Sequence, residues 1–199
     1  MRLFFISTVV LHCSIMALDL KDIESLQDWE ILQKQPIKIE WREYQNFPIS
    51  KAEVILTYNM EEIASAIQDL DNYPTIFERV TNTRRLDKNV VQIVLNMPFP
   101  FSGRDYIVKY SIENFQDRWI FSFSSIKHPD GIINPDHVRL PNAAGIWILE
   151  RLDPERTKVI YSWNGELLGN FPEFGLEQAW ITQGTEVLSW LDKALSKKE

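Results

Sequence analysis

Cysteine is all but missing from this chain: Cys13 is the only one, and it lies in the N-terminal apolar stretch. A disulfide framework and a cysteine-based zinc site are both excluded. Histidine is scarce as well, limited to His12, His128 and His137. The last two sit near Asp130 and Asp136, but their spacing follows no zinc pattern, so no metal and no other cofactor is expected. Basic residues are outnumbered 21 to 28 by acidic ones, giving a net charge of −7. That balance excludes nucleic-acid binding by neutralisation of many phosphates and disfavours steady attachment to anionic membrane, while leaving room for transient membrane contact. There is no G-x-S-x-G, no H-E-x-x-H and no glycine-rich phosphate loop. No internal repeat, low-complexity tract or Gly/Ser linker interrupts the 199 residues, a length that makes one well-buried domain, expected to be a monomer.

Aromatic residues are what the sequence has in quantity. Seven Trp, eleven Phe and six Tyr supply 12% of the chain, and such side chains either fill a core or line a ligand cavity. The N-terminus is the clearest local signal. Arg2 precedes the apolar run 3–11, and Ala17 follows just before Asp19. This is the pattern of a secretory signal peptide over residues 1–17, ahead of a mature domain over 18–199 that is periplasmic or secreted. The apolar run is too short for a spanning helix, which needs roughly 20 residues. An alternative is a lipid anchor on Cys13, because Val10-Leu11-His12-Cys13 loosely resembles a bacterial lipoprotein box.

Periodicity orders the rest. Leu20, Ile23, Leu26, Trp29 and Leu32 predict a first helix over 19–33. Strands are predicted around 37–41 and 52–58, and a helix over 60–70 that Tyr73-Pro74 ends or bends. A weak strand over 81–86 and a stronger one over 91–95 follow. Next, Tyr106, Val108, Tyr110 and Ile112 share one strand face, as do Trp119, Phe121 and Phe123. Residues 128–141, rich in Pro, Asp and Asn, are predicted to be loop. Two last strands, 145–151 and 157–163, turn at Asp153-Pro154, the second presenting Val159, Tyr161 and Trp163 inward. A long helix closes the chain through Leu176, Trp180, Val187, Leu191 and Leu195. The order implies an α+β fold in which a curved antiparallel sheet wraps around a long C-terminal helix, with an internal cavity between them.

Several segments together carry a resemblance. Trp29-Glu30-Ile31-Leu32 with Ile37-Lys38-Ile39, the helix holding Glu61-Glu62-Ile63 and Leu70, Ser102-Gly103-Arg104-Asp105-Tyr106, and Gly169 with Pro172 resemble START lipid-transfer domains over nearly the whole mature chain. The Arg-Asp pair behind a turn with Pro98 and Pro100 is the most specific piece. Tyr73-Pro74 with Phe77, and Asn170 after Gly169, depart from the family pattern. The resemblance implies the helix-grip fold and noncatalytic binding or transport of a lipid or other hydrophobic molecule.

The expected ligand-binding set is Arg104, Tyr106, Tyr110, Trp119, Phe121, Tyr161, Trp163 and Trp180. Alternation puts Arg104 on the face of Tyr106, where a charge needs a partner. Two roles stay open: a polar anchor for a ligand head group, or a buried ion pair with Asp105 or another acid. The wider superfamily also implies a second function, that of a cyclase- or aromatase-like enzyme acting on a polycyclic or acyl substrate. Arg104, Tyr106 and His128 or His137 would then be its acid-base groups.

Overall fold

The computed structural model describes residues 18–197. The signal peptide and the Cys13 anchor expected from the sequence lie outside the described residues. Ten strands form one sheet: β1 Glu30–Gln33, β2 Lys38–Tyr44, β3 Phe47–Leu56, β4 Val80–Asp87, β5 Val90–Leu95, β6 Gly103–Asn114, β7 Arg118–Ser125, β8 His137–Arg139, β9 Ala144–Asp153 and β10 Arg156–Asn164. Their order is β1-β2-β3-β10-β9-β7-β6-β5-β4, antiparallel throughout this path. Two helices, α1 Met60–Gln68 and α2 Tyr73–Ile76, bridge from β3 in mid-sheet to the far edge at β4, and α3 Leu176–Leu195 ends the chain.

Each helix forms for local reasons. The Asn59 side chain caps α1 by accepting the Glu62 N–H at 2.9 Å, and Glu61 and Glu62 favour its positive N-terminal end. Met60, Ile63, Ala64 and Ile67 then fall on one buried stripe. In α3 the buried positions Trp180, Gly184, Leu188, Leu191 and Leu195 recur every three or four residues. Gly184 costs α3 about 1 kcal/mol relative to Ala as a helix former. It is needed there because a β-carbon would stand 3.0 to 3.1 Å from Ile39, Trp163 and Ala52, so its absence lets α3 settle onto β2, β3 and β10.

The sheet is apolar on both sides. Its inner face packs under the helices in a core that joins Ile39, Ala52, Trp147, Leu149, Val159, Tyr161 and Trp163 to α1 and α3. Its outer face carries a second cluster, in which Leu18, Leu20 and Ile23 cover Ile49, Ile146, Ile148 and Ile160.

This outer cluster explains why the expected helix over 19–33 does not form. Only a single 3₁₀ turn, Ile23–Ser25, appears there, without a side-chain cap. The remainder is an extended strap, and residues 30–33 pair with β2 as β1. Covering an apolar sheet face from outside outweighs a helical periodicity that has no cap, and Asp28 with φ near +59° breaks the helical path. The loop expected over 128–141 is corrected in part. His137–Arg139 forms β8, parallel to β6 at Gly103, Arg104 and Asp105. That position on β6 is open because β7 pairs only with the later stretch from Val108 onward.

Trp180 ties α3 to the end of β10. Its indole N–H donates to the Gly165 carbonyl at 2.8 Å, and its ring lies 5.0 Å from that of Trp41. Replacing Trp180 by Phe keeps most of the packing but strands a buried carbonyl. Urea denaturation should therefore show a loss of about 1–3 kcal/mol.

Candidate functional site

A cavity of about 450 Å³ opens between α3 and the inner face of β5, β6, β9 and β10, within the range of about 300–1,000 Å³ usual for small-molecule sites. Its wall is mostly apolar: Phe77, Leu95, Phe123, Trp147, Tyr161 and Trp163 are the large contributors. The rings brace one another. Tyr161 lies 4.2 Å from Trp147 and 4.9 Å from Trp163, while Tyr106 stacks on Phe123 at 6.5 Å. Braced rings hold their shape when the cavity is empty, which lowers the cost of ordering them around a ligand.

Of the eight residues expected at the site, Arg104, Tyr106, Tyr161 and Trp163 line this cavity. Tyr110, Trp119, Phe121 and Trp180 do not. Tyr110 is four residues beyond Tyr106, ~13 Å along the strand. There its hydroxyl accepts from Arg85 at 3.0 Å and donates to the Lys88 carbonyl at 3.2 Å. Trp119 and Phe121 are buried toward the same end, where β7 packs under α1. Trp180 faces Trp41 and Gly165 on the other side of the helix. Trp147, Phe77 and Phe123 were not in the expected set. Trp147 sits opposite Tyr161 in the β9–β10 register, so strand pairing, rather than any motif, is the signal that finds it.

Arg104 is 1% exposed and has no carboxylate partner among the described residues. Its Nε donates to the Leu167 carbonyl at 2.7 Å and its Nη2 to the Leu168 carbonyl at 2.9 Å, while Nη1 bonds the Ser102 carbonyl. Burial pulls its pKa below the ordinary arginine value. The ion pair with Asp105, one of the roles left open by the sequence, is not formed, because neighbouring residues on a strand point to opposite faces. Asp105 instead takes a two-pronged bond from Arg139 at 2.8 and 2.6 Å and a third from Gln92 at 2.8 Å, stapling the 126–141 segment to the outside of the sheet. Arg104 does the corresponding work inside. It clamps the connection from β10 to α3, where Leu168 and Gly169 take left-handed backbone angles.

The other cation at the cavity is also engaged. Arg79 bonds Glu186 of α3 at 2.6 and 2.7 Å. Three phenols line the cavity, and burial raises all of them, Tyr73, Tyr106 and Tyr161, well above the usual tyrosine value. The Tyr73 hydroxyl donates to the Ile67 carbonyl at 2.5 Å. Tyr161 shares a hydrogen bond with Gln183. Neither His128 nor His137 reaches the cavity. His128 accepts the Asp130 N–H in its own loop at 3.2 Å, and the His137 ring packs against Gly103. Among the described residues no cluster of His, Cys, Asp or Glu is placed to hold a metal, and no helix is long and apolar enough to cross a membrane.

No family model and no curated protein matches the sequence. Solved structures do match in fold. Human StAR-related lipid transfer protein 5 superposes with a TM-score of 0.78 at 18% identity, covering 89% of this chain and 92% of that one. A STAR-related lipid transfer protein from Xanthomonas axonopodis gives 0.72 at 19%, covering 85% and 99%. A Streptomyces aromatase/cyclase gives 0.53 at 11%, covering 75% and 94%. The chain therefore has the helix-grip fold of the START domains, as its sequence resemblance implies.

Proposed function

We propose that this protein takes one hydrophobic small molecule into the cavity under α3 and carries it unchanged. The observation that carries the reading is the cavity itself, about 450 Å³ walled largely by aromatic and aliphatic side chains. The fold neighbours named as lipid transfer proteins support it. Catalysis finds less support: of the acid-base groups that reading needs, Arg104 and Tyr106 line the cavity, but His128 and His137 lie away from it. The leader-like pattern over 1–17 supports export, so the cargo would be moved outside the exporting membrane.

Delivery at a bilayer is supported by the rim. Phe99 and Phe174 are 98% and 94% exposed, and each sits in a segment that lines the cavity through its neighbours Pro98 and Phe101 or Pro172 and Gly175. The two segments touch where Phe101 and Phe171 lie 4.6 Å apart. Aromatic rings presented at a cavity mouth suit the membrane interface. Two measurements test this. Native mass spectrometry of the purified protein, mixed with vesicles carrying a fluorescent sterol, should show one sterol per chain. Replacing both Phe99 and Phe174 by Asp should slow vesicle-to-vesicle transfer about tenfold, equivalent to about 1.4 kcal/mol, at unchanged sterol affinity. Failure to take up any apolar probe would sink the carrier reading.

A further inference from the structure

The polar atoms of the cavity differ sharply in how far they are already used. Arg104 is spent on main-chain carbonyls and Arg79 on Glu186. Tyr73 is spent on Ile67 and Tyr161 on Gln183. Trp163 lines the cavity too and its indole N–H has no partner, but that nitrogen is enclosed by protein rather than accessible. Tyr106 is different. It is half-buried and lines the cavity. No side chain or carbonyl among the described residues bonds its hydroxyl, and burial alone raises its pKa. The hydroxyl is not among the enclosed polar atoms left without a partner, so it is open to the void, and a ligand that displaces water from it must replace that hydrogen bond.

The charges at the wall point the same way. Glu166 also lines the cavity, and its carboxylate receives only an Asn142 N–H at 3.2 Å, with no cation among the described residues within ion-pair reach. The charged groups of the wall, Arg79 with Glu186 and Arg104 with Glu166, cancel, so an anionic ligand finds no surplus positive charge there and meets the Glu166 carboxylate. A group that is uncharged and can accept or donate one hydrogen bond meets an unused hydroxyl instead.

We propose that Tyr106 is the polar contact for an uncharged, otherwise apolar ligand bearing one hydroxyl or carbonyl, and that the cavity discriminates against the carboxylate analogue of the same molecule. This rests on the binding reading above and names the ligand class for it. It moves the polar end of the ligand from Arg104 to Tyr106. The phenol can donate to a carbonyl or hydroxyl oxygen and accept from a hydroxyl, so either group completes it.

A matched set of fluorescent polyenes with the same chain tests it: the primary alcohol, the carboxylic acid and the parent hydrocarbon, titrated into the full-length mature protein at pH 8. The alcohol should bind tightest. The carboxylate should bind at least about tenfold more weakly, as expected for a desolvated charge left without a partner. Tyr106→Phe should remove the preference for alcohol over hydrocarbon, a change of about three- to tenfold. Its thermal unfolding should stay at the wild-type midpoint, because the hydroxyl supports nothing in the protein. If the carboxylate binds as tightly as the alcohol, or if Tyr106→Phe leaves the alcohol preference intact, this inference is overturned while the carrier reading stands. If none of the three binds, both fall together.

Discussion

Replacing Ala143 by Trp should abolish uptake of an apolar probe while leaving the protein folded. Ala143 immediately precedes β9, and its carbonyl accepts the Ser125 N–H at 2.7 Å, so its backbone is fixed to the neighbouring strand β7. Ala143 lines the cavity and packs against the inner core. An indole there has about 450 Å³ of empty space to enter and need not displace packed atoms, so the melting temperature should move by only a few degrees. The contrast is Val108→Trp. Val108 is 2% exposed on β6, between Val91 and Ser125 in register, and does not line the cavity. The same ring in that solid core should cost about 1–3 kcal/mol or more through overpacking. Probe titration and thermal melting of the two variants, run side by side, check the pair. An Ala143→Trp protein that still takes up the probe would place the ligand elsewhere.

The difference between Ala143 and Val108 also shows what the sequence could and could not convey. Alternation along 106–112 and 119–123 identified the face that looks toward the helices, because the opposite residues there include Lys109, Ser111, Ser122 and Ser124. Alternation says nothing about position along the strand. The inner face is longer than the cavity: α1 fills the end where Trp119 and Phe121 lie, and the void remains only near Tyr106, Tyr161 and Trp163. Trp147 escaped for the opposite reason. Residues 146–149 are apolar on both faces, since Ile146 and Ile148 serve the outer cluster and Trp147 and Leu149 the inner core, so no alternation marks it. The outer cluster also turned Leu20 and Ile23 into a strap, and a second buried sheet face cannot be read from a segment that has helical spacing of its own. The long closing helix was legible because its stripe runs over twenty residues and its start is marked by Pro172.

Arg104→Leu should destabilise the protein by about 4 kcal/mol rather than change what it binds. The guanidinium fork reaches three separate main-chain carbonyls, those of Ser102, Leu167 and Leu168, from a position 1% exposed. A leucine of similar length fills part of the space and satisfies none of them, and each buried carbonyl left without a donor costs about 1–3 kcal/mol. The loss is a large share of a typical domain's stability of about 5–15 kcal/mol. It falls on the connection that carries the chain from β10 into α3, where Leu168 and Gly169 hold left-handed angles, and a residue kept in that region needs support from around it. Arg104→Lys separates this main-chain clamp from the ligand-anchor role left open by the sequence. Lysine keeps the positive charge but offers one nitrogen in place of a planar fork, so it should recover only part of the lost stability. If Arg104 were instead an electrostatic anchor for the ligand, Lys would restore function and Leu would alter ligand preference at nearly unchanged stability. Denaturant unfolding of the three proteins decides between them, and a Leu variant within about 0.5 kcal/mol of wild type, the range of a surface substitution, would mean that the clamp on 167–169 is not what this buried charge is for.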